Sequence, residues 1–110
     1  MKYFVTDNER ENTNYHEFQK GHWDRETFWK DDSINLSDDV FCELKFMKLF
    51  IATIPDYDCY ADSEIDKATW DNIKSEAEKL GGQIYECILE ADEWVKNTFL
   101  ENDVFTIIGL

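Results

Sequence analysis

The stretch Ile34-Asn-Leu-Ser-Asp-Asp-Val-Phe-Cys-Glu-Leu-Lys-Phe-Met-Lys-Leu-Phe-Ile-Ala-Thr-Ile-Pro55 decides how the rest of the chain is read. Ile34-Asn-Leu36 is extended in character, and Ser37 is a good N-cap. Asp38 and Asp39 fall in the first turn, where the helix dipole favours negative charge. Val40, Phe41, Leu44, Met47, Phe50, Ile51 and Ile54 then recur at helical spacing. Pro55 closes the run, because a residue before proline resists the helical region. The pattern predicts one helix from about Asp38 to Thr53. A strand is the rival, since Val40, Cys42, Leu44 and Phe46 also alternate.

Before this segment, Lys2 to Thr6 has the aromatic and β-branched content of a short strand. Asp7 to Asn14 is a polar loop. Residues 15 to 30 stay ambiguous: Tyr15, Phe18, His22 and Trp23 fit a loose amphipathic turn, and Thr27-Phe-Trp-Lys30 resembles a strand. After it, Pro55 to Ser63 is expected as a loop. Asp66 caps a helix from Lys67 to Leu80, with Trp70, Ile73, Ala77 and Leu80 on one stripe. Gly81-Gly82 ends that helix. A further helix is expected from about Gln83 to Glu101, antiparallel to its predecessor across the two-glycine link. Val104 to Ile108 forms a last strand. The fold class expected is α+β: a small, mostly antiparallel sheet of N-terminal strands plus the C-terminal strand, covered by about three helices. Residues 1–110 make a single domain.

The charge is the most informative total: 25 Asp plus Glu against 11 Lys plus Arg, a net charge of -14. Such a field repels nucleic acid and anionic membranes and speeds encounter with a basic protein partner. Direct nucleic-acid binding is not expected, because no two basic residues are adjacent. Aromatics at 15% set the chain apart from disordered acidic proteins. An odd count of three Cys suits a reducing compartment. With no apolar signal core near Met1 and no apolar run approaching ~20 residues, a cytoplasmic protein is expected.

Few residues are candidates for chemistry. An EF-hand loop beginning at Asp56 would need Asp or Asn at position five, Gly at six and Glu at twelve. Tyr60, Ala61 and Lys67 stand there instead. His16, His22, Cys42, Cys59 and Cys87 lack the short pairings of a zinc site. Neither a metal nor another cofactor is expected. No glycine-rich turn is placed to build an oxyanion hole, and no catalytic residue is assigned. The local feature is instead Pro55-Asp-Tyr-Asp-Cys-Tyr-Ala-Asp-Ser-Glu64. Here Asp56, Tyr57, Asp58, Tyr60, Asp62 and Glu64 combine carboxylates with rigid aromatic area, a mixture suited to Arg- and Lys-rich partners. These six are the expected partner-binding residues.

From about Ser33 onward the chain resembles small bacterial immunity proteins of polymorphic or contact-dependent growth-inhibition toxin systems. The features that carry the resemblance are Ile34-Asn-Leu-Ser-Asp-Asp-Val-Phe41 entering a helix, Ile54-Pro-Asp-Tyr-Asp58, the helices around Trp70 and Trp94-Val95, and the closing Phe105-Thr-Ile-Ile-Gly-Leu110. The resemblance implies a non-catalytic α+β inhibitor that binds a cognate toxin one to one, and many such toxins are nucleases whose basic active-site surface an acidic inhibitor can cover. A nucleic-acid mimic or anti-restriction protein that binds a DNA-processing enzyme is the alternative expectation for so acidic a chain.

Overall fold

Five strands and four helices are built from the whole chain, residues 1–110, in a computed structural model. In chain order they are β1 (Phe4–Val5), β2 (Tyr15–Lys20), β3 (Ile34–Ser37), α1 (Asp38–Glu43), α2 (Phe46–Thr53), β4 (Asp62–Asp66), α3 (Lys67–Leu80), α4 (Gly82–Phe99) and β5 (Val104–Ile108). The strands form one antiparallel sheet in the order β1-β3-β2-β5-β4. The α+β class and the pairing of N-terminal strands with the C-terminal one are as expected from the sequence.

The register divides the sheet into two faces. Phe18 lies opposite Ile34 on one side and Ile107 on the other, His16 and Phe4 flank Leu36, and Ile65 faces Phe105. With the period of two along each strand, these residues share the face that meets the helices. Phe4, Phe18, Leu36, Ile65 and Phe105 are fully buried there with Trp70, Ile73, Cys87, Ile88 and Val95 of α3 and α4. The second face carries Glu17, Gln19, Asn35 and Thr106, and these are also buried.

Glu17 explains how that polar face is covered. Its carboxylate accepts from the backbone N–H groups of Trp29 (2.9 Å) and Lys30 (3.0 Å), from the Ser33 hydroxyl (2.7 Å) and from the Gln19 amide (3.1 Å). One buried anion thus folds the 21–33 segment over the sheet, satisfying donors that would otherwise be stranded. Trp23, Phe28 and Trp29 pack in succession along this segment, and Arg10 stacks over Trp29 at 3.7 Å.

Four expectations need correction. The strand in the ambiguous region is Tyr15–Lys20, whereas Thr27 to Lys30 is part of the covering segment, with Trp29 at φ 59. The expected helix from Asp38 to Thr53 is helical but broken, because Lys45 adopts a left-handed conformation (φ 64, ψ 42) and splits it into α1 and α2. Residues 62 and 63, assigned to a loop, belong to strand β4. The last helix stops at Phe99, and Leu80 is exposed rather than seated in its stripe.

The caps follow the sequence. Ser37 Oγ accepts from the Val40 N–H at 3.2 Å, and Asp66 Oδ1 from the Thr69 N–H at 2.8 Å. Ile54 leaves the helical region at φ -107, ψ 119 ahead of Pro55. Gly81 and Gly82 both carry positive φ, 67 and 62, which turns α3 back into α4. Between these two helices the Trp70 indole donates to Asp92 Oδ1 (2.8 Å), and Lys74 and Lys96 close on the same carboxylate.

Candidate functional site

Strand β4 turns a charged run of sequence into a patterned surface. Alternation sends Ile65 into the core and leaves Asp62, Glu64 and Asp66 on the opposite face. As the last strand in the sheet order, β4 has a neighbour on one side only. Along it runs an open cleft of about 570 Å³. Its walls are Asp62, Glu64 and Asp66, the Ile54-Pro55-Asp56 turn, and Trp23 with Arg25 from the covering segment. Asp56 sits at φ 56, a region that short polar side chains tolerate better than most.

Two of these carboxylates are already engaged. Asp66 is held below its ordinary range by the Thr69 backbone and side chain, as an N-cap should be. Glu64 accepts from the His22 ring, which raises the histidine above its ordinary value and ties the covering segment to β4. Arg25 is the sole cation lining the cleft, so four carboxylates face it with one fixed positive charge.

The six residues singled out in the sequence are therefore distributed over both sides of the loop. Asp56, Asp62 and Glu64 meet in the cleft. Asp58 is exposed and accepts from the Tyr60 N–H at 2.9 Å, shaping the loop tip. Tyr60 is 74% exposed and lines a different, apolar groove on the far side. Tyr57 lies half-buried, edge-on to Phe50 at 5.2 Å, and burial pushes its phenol well above the usual range. It anchors the loop to the core. The C-terminal residues clamp the same loop, Gly109 N–H to Ala61 O (3.0 Å) and Leu110 N–H to Cys59 O (2.8 Å).

Asp66, Trp23 and Arg25 complete the cleft and were not among the residues singled out. The alternation Asp62-Ser-Glu64-Ile-Asp66 was the available signal for the first. Nothing local signals the other two, which reach the site only through the Glu17-centred fold of the covering segment.

The remaining reactive groups have clear surroundings. The His16 ring is buried, stacks on Phe41 at 3.9 Å, and meets Asp38 Oδ1 through Nε2 at 2.9 Å. Burial lowers its pKa despite that carboxylate. Cys42 is exposed and directs its thiol to the other Asp38 oxygen at 3.7 Å, and desolvation with Asp38 raises the thiol pKa. A reactive thiolate wants an electropositive setting; here an anion sits between thiol and imidazole. Cys87 is buried in the core, where its thiol is pushed up to about 12. No three His, Cys, Asp or Glu side chains come close enough together to hold a metal ion. No helix is long and apolar enough to cross a membrane.

No protein-family model, curated protein or solved structure matches this chain.

Proposed function

We propose that this chain is an immunity-type inhibitor that binds a basic bacterial toxin domain, a nuclease by preference, and neutralises it by occluding its active site. The observation that carries this reading is the cleft along β4, which Asp56, Asp62, Glu64 and Asp66 line together with a single arginine. A net charge of -14 supplies the long-range attraction, and the convergent carboxylates give lysines and arginines of the partner specific places to sit. Asp58 and Tyr60 at the loop tip extend the contact, while Tyr57 holds the loop in place.

Strand β4 places Asp62, Glu64 and Asp66 on one face, and such preorganisation reduces the entropy lost on docking. His22 holds Glu64 in the unbound cleft and can give way to a partner cation. The test is co-expression with the toxic product of a neighbouring gene. Growth is expected to be rescued by the wild-type chain and lost with the triple substitution Asp56→Asn, Asp62→Asn, Glu64→Gln. Undiminished rescue by a folded triple variant would remove the cleft from the interface.

A further inference from the structure

The far side of the Asp56–Glu64 loop has the opposite character. An open groove of about 770 Å³ is walled by Phe41 and Cys42 of α1, Met47, Ile51 and Ala52 of α2, Cys59 and Tyr60 of the loop, and the C-terminal Leu110. Ile51 and Tyr60 are 62% and 74% exposed, so large apolar side chains project here without a partner. Its volume falls within the range of small-molecule clefts.

Two lysines and one aspartate form its charged rim. Lys45 and Lys48 line the groove, and neither lies within ion-pair distance of a carboxylate, in a chain with more than twice as many acids as bases. The acid at the rim, Asp38, already has its two oxygens engaged by His16 and Cys42. The first turn of α2 has neither a capping side chain nor an acidic residue, so its N–H groups add positive potential at the lysine end. Lys45 also occupies a left-handed position that glycine would fill more comfortably. Backbone geometry alone gives no reason for a lysine there.

We propose that this groove binds a small amphipathic anion, an aliphatic chain ending in a carboxylate. The chain lies along Phe41, Met47, Ile51 and Tyr60, and the carboxylate meets Lys45, Lys48 and the start of α2. A second copy of the protein is a poor occupant, since two surfaces of charge -14 repel. The groove shares no lining residue with the acidic cleft, only Tyr60 with the wider toxin contact, and stands whether or not that cleft binds a toxin.

The experiment is titration calorimetry with decanoate and, as a cationic control of equal chain length, decylamine, each kept below its aggregation concentration. Decanoate is expected to bind one to one and about tenfold or more tighter than decylamine. Lys45→Gly is expected to raise the melting temperature, because it relieves the left-handed backbone, yet to weaken decanoate binding about fivefold or more. Lys48→Gln should weaken decanoate binding alike, and Ile51→Asp should abolish it for both probes. Equal binding of the two probes, no decanoate binding at millimolar concentration, or unchanged decanoate affinity in both lysine variants would overturn the proposal.

Discussion

Glu17 lies in the middle of a strand, fully buried, with four donors converging on its carboxylate. Its neighbours in sequence, Tyr15 to Lys20, do not announce this. The strand is buried on both faces, yet its second face is polar, so neither an alternating nor a continuous apolar pattern exists to read. What buries Glu17 and Gln19 is the segment after Gly21, and that segment is held by Glu17 itself. The mutual dependence is tertiary and invisible to periodicity. Glu17→Gln replaces one accepting oxygen with a donor facing other donors, and is expected to cost about 2–3 kcal/mol, measured by urea denaturation. His16 gives a second test at this scale. Its folded pKa is lowered from 6.5, so the unfolded chain binds more protons as pH falls through that value. Stability should therefore decline from about pH 6.5 towards the lowered folded pKa and level off below it, as far as this residue is concerned. His22 acts in the opposite sense, since its pKa is raised: its contribution is present below the unfolded value and lost as pH rises through the folded one. Denaturation against pH in a His22→Gln background isolates the His16 contribution, and His16→Phe in that background should flatten it.

At the scale of elements, the capped and punctuated parts were legible. Ser37, Asp66, Pro55 and Gly81-Gly82 mark boundaries through local hydrogen bonds and sterics, and local causes can be read locally. The break at Lys45 could not be read, because no glycine or proline marks it, and the apolar residues on both sides keep helical spacing. Strand β4 was hidden for a different reason. Of Asp62 to Asp66 only Ile65 is buried, and the strand exists by pairing with β5 from Val104 to Ile108. Two element-scale predictions follow from contacts that fix the loop and the helical pair. A Cβ at position 109 would lie 2.1 Å from the Cys59 carbonyl oxygen. Gly109→Ala should therefore detach the C-terminal residues from the loop and cost about 1–3 kcal/mol, with faster exchange of the amides at positions 109 and 110 as the signature. Asp92 joins α3 to α4. Burial pushes its pKa up, but Trp70, Lys96 and Lys74 together hold it below the ordinary value. Asp92→Ala would leave the buried Trp70 N–H without its acceptor, a loss of about 2 kcal/mol by thermal or urea unfolding.

Over the whole molecule, half of the candidate site was legible and half was not. The excess of carboxylates between Asp56 and Glu64 was plain. Their division into an acidic cleft and an apolar groove depends on which way β4 faces and where the C-terminus returns, and neither is a local property. Charge spread along the chain acts as a field, and the cleft gives that field a place to act. The central claim is that a basic partner is drawn to this cleft electrostatically. It is tested most directly by stopped-flow association with a basic toxin domain that the chain is found to neutralise, measured across ionic strength. The account predicts an association rate that falls by about tenfold or more from ~0.05 to ~0.5 M salt, with a much shallower dependence for the Asp56→Asn, Asp62→Asn, Glu64→Gln variant. A rate independent of salt, or the same salt dependence in wild type and variant, would contradict it.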